Sequence, residues 1–268
     1  MYRILLVVGL AAVMAACGDD SPTAPSVSTS SITVTVSSPV RMGQTTQSSG
    51  TAMLSNGQSQ AVTSGWLSDA PGVATVSDAG LVTGVSNGRA TIYVVSGGRQ
   101  GQQVTRVVPD YQGSWSGATQ VTACTQTGAW VTANFCGSFT VGSTDPYTLS
   151  LAQSGENLTA RLSYGPTFVF PSVAAAIGAD GTSPFSAAYV DPSDGFTVAA
   201  SVLVNSLRVG ELSGTINEVW RLPGVSGEGT LAQNIVGTTR TSTTALIGGE
   251  GGVSGKRRVL DRLGLGRR

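Results

Sequence analysis

Short segments of alternating apolar and polar residues, separated by turn-forming residues, constrain this chain more than any other feature. Residues 32–36 alternate with a period of two, and a similar pattern recurs at residues 90–94. Such alternation is typical of a half-buried strand, whereas an amphipathic helix repeats every 3.6 residues. Glycine, present at 36 positions, supplies the positive φ angles that tight turns require. The pattern predicts an all-β chain.

The segment 32–108 is predicted to be a first domain, because its strand-like runs follow one another closely. Many short strands divided by Gly, Asn, Asp and Pro favour a two-sheet sandwich. Trp66 is the largest apolar side chain in the segment, and we expect it in the core between the two sheets.

Several stretches of this first segment resemble the bacterial immunoglobulin-like group 2 domain in both order and spacing. They are Trp66, Ser68, residues 73–76, the Gly-Leu-Val-Thr-Gly-Val run at residues 80–85, and residues 88–92. The resemblance covers residues 31–108 and implies an immunoglobulin-like sandwich. It also implies a role as a spacer, an adhesion stalk or a contact module for protein or glycan, and it carries no catalytic residues.

Residues 110–236 are predicted to be a second antiparallel β domain. Residues 147–151 and 158–162 alternate on either side of a Ser-Gly-Glu-Asn turn, which predicts a hairpin. Further alternating stretches occur at residues 168–170, 185–189, 196–200, 207–209 and 216–220. About eight strands suit an up-and-down barrel, with a second sandwich as the alternative.

Two short motifs in the second domain resemble the lipocalin pattern, in which an arginine late in the chain lies over an early Gly-x-Trp. They are Gly113-Ser114-Trp115 and Trp220-Arg221. The resemblance implies a barrel that carries a small apolar ligand. The aromatic residues at strand spacing are the candidate lining of such a cavity, or else plain core: Phe168, Phe170, Phe185 and Tyr189.

The first residues are typical of an export signal, with a basic start followed by an apolar run. The run Met14-Ala15-Ala16-Cys17 resembles the bacterial lipobox, which implies a signal peptide at residues 1–16 and lipidation, for example with palmitate, at Cys17. The membrane is then a partner through this anchor. Residues 17–31 are predicted to be a tether, and Gly18 favours the outer membrane.

The other two cysteines, Cys124 and Cys136, are expected to form a disulfide because an exported chain meets an oxidising compartment. The sequence has no histidine, which excludes Ser-His-Asp and Cys-His catalysis and removes the commonest metal ligand. We therefore expect no enzyme activity, no cofactor and no metal site. A polysaccharide hydrolase based on carboxylates is the weakest alternative.

Charge is segregated along the chain. Residues 17–255 hold 14 acidic and 8 basic residues, whereas residues 256–268 hold six basic residues and one acidic residue. An acidic body disfavours nucleic acid as a partner, because phosphate binding needs clustered Lys and Arg. Residues 237–268 are predicted to be a flexible Gly-rich and basic tail. The sequence thus predicts a non-enzymatic envelope lipoprotein that binds a protein, a glycan or a small apolar ligand.

Overall fold

The computed structural model describes residues 26–165, 168–192 and 194–241, which form two β units joined end to end. The predicted signal peptide, the lipidation site Cys17 and most of the predicted tail lie outside the described residues. Within the described part of the chain, no helix is both long and apolar enough to cross a membrane.

The first unit is built from ten strands in three small sheets. The strands are β1 (Thr29–Thr35), β2 (Val40–Arg41), β3 (Thr45–Gln47), β4 (Ser49–Leu54), β5 (Ser59–Val62), β6 (Trp66–Ser68), β7 (Ala74–Val76), β8 (Leu81–Gly84), β9 (Gly88–Ser96) and β10 (Arg99–Val108). The strand orders are β1-β4-β5, β2-β10-β9-β6 and β3-β8-β7.

The inward face of these strands supplies the core of the first unit. Trp66 is buried, as the sequence predicts, and packs with Ile92, Val94 and Val82 from β9 and β8. Burial alternates along β9, so its apolar residues face the core and its polar residues face solvent. The alternation in the sequence therefore fixes which face of each strand is buried.

The second unit contains nine strands and one short helix. They are β11 (Gly113–Gln126), α1 (Ala129–Thr132), β12 (Thr144–Ser154), β13 (Asn157–Tyr164), β14 (Phe168–Val169), β15 (Val173–Ala176), β16 (Ser183–Val190), β17 (Thr197–Asn205), β18 (Ser213–Arg221) and β19 (Gly229–Thr241). All pairings in this sheet are antiparallel. The predicted hairpin is confirmed as β12 and β13.

The sheet of the second unit curls back on itself, because β15 lies against β16 although the two strands belong to its opposite ends. β19 pairs with β11 on one side and with β18 on the other. The strand order β14-β13-β12-β11-β19-β18-β17-β16, with β15 also on β13, leaves one break in the ladder of hydrogen bonds. That break lies where β14 and β15 meet β16. We call this place the seam, and it is bordered by residues 168–176 and 183–190.

The structure confirms the predicted all-β fold class and corrects three details. Leu207 and Val209, predicted to be in a strand, lie exposed in the turn between β17 and β18 because Ser206 bonds to the Arg208 carbonyl and bends the chain. β19 continues to Thr241, inside the predicted tail, because β11 pairs with it along its full length. β1 begins at Thr29, inside the predicted tether, since Thr29 pairs with Leu54.

Candidate functional site

The predicted lining residues lie along the seam. Phe168, Phe170 and Phe185 are buried, and Tyr189 is half-buried. The ring centroids of Phe168 and Tyr189 are 5.1 Å apart, and those of Phe170 and Tyr189 are 6.3 Å apart. Phe185 lies on the same face of β16, four residues nearer the first unit. The structure thus brings three of the four together beside the seam, as part of the apolar core of the barrel.

A polar cluster inside the barrel was not foreseen from the sequence. Glu218 is 1% exposed, and its carboxylate accepts a hydrogen bond of 2.9 Å from Trp220 Nε1. Tyr164 and Gln233 are also buried, and both hydrogen-bond within this cluster. The signal was present in the alternation of β18, where Ile216, Glu218 and Trp220 all face inward and one of them is charged.

The pKa of Tyr164 reflects the low polarity of the barrel interior. Burial of the hydroxyl, together with the negative charge of Glu218 and the hydrogen bond to it, raises the pKa of Tyr164 well above the ordinary value of 10.0. The tyrosine is therefore a neutral donor beside a carboxylate acceptor. Burying such groups is costly unless they are paired, so the hydrogen bonds within the cluster offset part of the cost of enclosing Glu218 and Tyr164.

One end of the barrel is covered by residues 127–143, which we call the lid. The disulfide between Cys124 and Cys136 is confirmed and ties the lid to the end of β11. Phe135 and Phe139 of the lid lie 5.4 Å and 5.3 Å from Trp220 between ring centroids. A side chain at Gly229 would come within 2.6 Å of the Phe135 ring, so this glycine makes room for the lid.

The lid also buries a polar group. Trp130 is fully buried and packs edge-on against Phe135 at 5.4 Å. Its indole N–H has no hydrogen-bond acceptor among the described residues. Buried donors are nearly always satisfied by protein or by ordered water. The burial of this N–H therefore offsets part of the stability that the packing of the Trp130 ring contributes.

The opposite end of the barrel is fixed to the first unit through Asp110, which is 5% exposed. Its carboxylate accepts from Arg41 of the first unit at 3.2 Å and from Arg240 of β19 at 3.0 Å. A second ionic contact joins Arg106 of β10 to Glu156 in the β12–β13 turn at 2.6 Å. Both contacts link side chains from the two units.

The arginine that lies over Trp115 is Arg240, not Arg221. The Arg240 guanidinium sits 4.5 Å from the ring centroid of Trp115, a cation–π distance. Gly113 has a φ of 136°, and a side chain there would meet Arg240 at 3.3 Å. Arg221 instead faces solvent and pairs with Glu228, because it points outward on β18. The lipocalin-like prediction was therefore wrong about which arginine fills this role.

No group of three or more potential metal ligands occurs in the described part of the chain. Asp194 lies in the turn between β16 and β17. Its carboxylate accepts a hydrogen bond of 2.8 Å from the backbone N–H of Phe196, as in an ordinary Asx turn. Residues 242–268 of the predicted Gly-rich and basic tail lie outside the described residues.

Residues 26–108 match the model of the bacterial Ig-like domain (group 2), which confirms the predicted resemblance. The match begins at residue 26, earlier than the predicted start at residue 31. No curated protein matches the sequence. One solved structure with which the chain aligns is surface layer protein SbsC, domains 4-9, at 15% identity and a TM-score of 0.28. The alignment covers 77% of this chain and 31% of that one. A TM-score this low establishes no shared fold.

Proposed function

We propose that the protein is a non-enzymatic cell-envelope lipoprotein that is anchored through Cys17 and displays the barrel as a binding domain on an Ig-like spacer. The single observation that carries the proposal is the placement of the two chain ends of the first unit at opposite ends of the domain. The chain enters the Ig-like domain at one pole and leaves it for the barrel at the other.

This placement of the two chain ends follows from one hydrogen bond and from the length of β10. Arg99, at the start of β10, donates to the carbonyl of Thr29, so the beginning of β1 lies beside the β9–β10 turn. β10 then runs for ten residues to Val108, next to the barrel. At about 3.3 Å per residue, the domain separates the tether from the barrel by roughly 33 Å.

Contacts between the two units set the direction in which the spacer holds the barrel. The ionic contacts of Asp110 and Arg106 join the two units, and Asn87 adds a hydrogen bond to the Ala179 carbonyl at 3.1 Å. These contacts come from separate strands and turns of the Ig-like domain. The lid end of the barrel therefore faces away from the start of β1.

The alternative of a polysaccharide hydrolase has little support. Glycoside hydrolysis needs two carboxyl groups that flank a bound sugar in an accessible cleft. Glu218 is enclosed in the barrel, and Asp110 is held between two arginines. Neither arrangement resembles such a pair.

The proposal is tested by feeding an alkyne analogue of palmitate to cells that produce the protein, and to cells that produce the Cys17→Ala variant. We expect label and membrane sedimentation for the parent protein, and neither for the variant. A Cys124→Ser/Cys136→Ser variant is the matched control, because it also loses cysteines but keeps Cys17. Equal labelling of the parent and Cys17→Ala would contradict the anchor.

A further inference from the structure

We propose that residues 256–268 dock on the lid end of the barrel of the same chain, where exposed apolar side chains and acidic turns match their own apolar and basic side chains. This inference goes beyond the proposed function, because it needs neither the anchor at Cys17 nor a partner from outside the chain. It assigns an interaction surface on the barrel and names the segment that covers it.

Apolar side chains lie exposed at the lid end of the barrel. Val131 of α1 is 53% exposed and Val190, the last residue of β16, is 56% exposed. Pro223, in the turn between β18 and β19, is exposed as well. Neighbouring exposed apolar side chains with a polar rim are typical of an interaction site. These three residues are therefore candidates for contact with another segment.

Two contacts join this end of the barrel into one surface. The backbone N–H of Ala129, at the start of α1, donates to the Ser226 carbonyl at 3.0 Å, so the lid touches the β18–β19 turn. A side chain at Gly195, in the β16–β17 turn, would come within 3.1 Å of Pro223, so the two turns also touch. We call this surface the lid-end face, and it consists of Val131, Val190, Asp191, Asp194, Pro223 and Glu228.

The lid-end face carries negative charge. Asp191 and Asp194 lie half-buried in the β16–β17 turn, and Glu228 lies half-buried next to the start of β19. Among the described residues of these two turns and the strand ends beside them, the one basic side chain is Arg221, which pairs with Glu228 at 2.6 Å. The lid contains no charged residue. The two aspartates therefore leave the face with a net negative charge that attracts a cationic segment.

Residues 256–268 have the composition that this face attracts. They hold six basic residues and one acidic residue, interspersed with Val259, Leu260, Leu263 and Leu265. The other nine basic residues of the sequence lie in residues 1–255, and no two of them are adjacent. Aliphatic side chains bury apolar area against the valines while basic side chains approach the aspartates. Both halves of the contact are thus complementary in charge and in polarity.

The linking residues 242–255 are long enough to bring this segment to the face. Thr241, at one end of β19, pairs with Ser114 beside the first unit, whereas Gly229, at the other end, pairs with Trp220 under the lid. The 13 residues of β19 span about 43 Å at about 3.3 Å per residue. Fourteen linking residues reach about 50 Å when fully extended. Residue 256 can therefore reach the lid end from Thr241.

A second apolar patch, on the first unit, is a poorer match. Leu67, Val95 and Val104 lie exposed on the outer face of β6, β9 and β10. The same face carries Arg89, two residues from the Thr91 backbone N–H that donates to the Asp69 carboxylate. The charges of this arginine and this aspartate cancel, so the patch offers a basic segment no net attraction.

Lys256 is the only lysine in the sequence, which makes chemical cross-linking a direct test. A carbodiimide activates a carboxyl group, the Lys256 amine then displaces the activated oxygen to form an amide, and the carbodiimide leaves as a urea. In the full-length chain in non-ionic detergent, we expect peptide mass spectrometry to find Lys256 joined to Asp191 or Asp194 at least tenfold more often than to Asp69 or Asp78. Equal yields at both pairs would overturn the inference.

Two further arms of the experiment separate the other occupants of the face and of the segment. In a mixture of isotope-labelled and unlabelled chains, we expect cross-links within one chain, and links between labelled and unlabelled chains would replace internal docking by contact between copies. With vesicles of phosphatidylglycerol and the Cys17→Ala chain, we expect the cross-links to persist. Their loss as the chain sediments with the vesicles would assign residues 256–268 to anionic lipid and refute the docking.

A matched pair of double variants locates the contact by proteolysis. Asp191→Asn/Asp194→Asn removes two charges from the face and keeps the oxygen that accepts from Phe196, whereas Asp69→Asn/Asp78→Asn removes two charges from the first unit. We expect trypsin to cleave after Lys256 at least threefold faster in the first variant and at the parent rate in the second. Equal rates in the two variants would refute the docking. Palmitate labelling is independent of either result, so the anchor and the docking fail separately.

Discussion

The structure predicts a clear loss of stability when the Asp110 carboxylate is removed. Asp110 is 5% exposed and accepts charge-assisted hydrogen bonds from Arg41 and Arg240, one from each unit. A hydrogen bond to a charged group contributes about 1.5–3 kcal/mol. Because the two arginine side chains are 37% and 31% exposed, solvent screens them, and the lower value applies to each bond.

We therefore expect Asp110→Ala to lower the free energy of unfolding by about 3 kcal/mol. For a unit of this size, 1 kcal/mol shifts Tm by about 2–4 °C, so the expected loss is roughly 6–12 °C. Asp110→Asn keeps the shape and one acceptor, and should lose less.

Differential scanning calorimetry measures the change, with Asp78→Ala as the control because Asp78 is an exposed residue of a turn. A surface substitution of that kind is expected to stay within about 0.5 kcal/mol of the parent. If the free energy of unfolding of Asp110→Ala also stays within that limit, the ionic contacts of Asp110 do not stabilise the junction between the two units.

Three further predictions concern the barrel. Arg240→Ala should lower its free energy of unfolding by about 2–3 kcal/mol, through loss of the Asp110 bond and the Trp115 contact, whereas the exposed Arg221→Ala should cost under 1 kcal/mol in urea titrations. Reduction of the Cys124–Cys136 disulfide should destabilise the chain by about 3 kcal/mol, and calorimetry with and without a dithiol reductant would contradict this if Tm did not fall. Burial raises the pKa of Tyr147 to about 12, so its contribution to stability is present below pH 10 and is lost as the pH rises toward 12. Ultraviolet titration at 295 nm should show one tyrosine fewer ionising late in Tyr147→Phe than in the parent, because Tyr111 and Tyr164, whose pKa values burial also raises, remain in the variant.

The strands were predictable because alternation is a local property. Residues 147–151 and 158–162 carry their buried faces in the printed sequence, and the hairpin between them needs only a glycine turn. In contrast, the apolar pair Leu207 and Val209 alternates over too few residues to decide between strand and turn. The Ser206 side chain, which bonds to the Arg208 carbonyl, selects the turn.

The parts that could not be predicted depend on contacts between distant segments. Arg240 and Trp115 are far apart in sequence, and only the pairing of β19 with β11 brings them together. The sequence of the lid has no apolar–polar periodicity. No local pattern therefore predicts that Phe135 and Phe139 are buried against Trp220. Glu218 was visible as a charge at an inward position of β18, but Tyr164 and Gln233, the other members of the cluster, lie on β13 and β19.

The most direct test of the account is a distance measurement across the junction. Spin labels at Ser55→Cys, beside the start of β1, and at Ala188→Cys, on the outer face of β16, report on the Ig-like domain and the barrel. Double electron–electron resonance should give one narrow distance distribution, which broadens when Asp110 and Arg106 are both replaced by alanine. A broad or multiple distribution in the otherwise unaltered chain would contradict the claim that the Ig-like domain holds the barrel in a fixed direction.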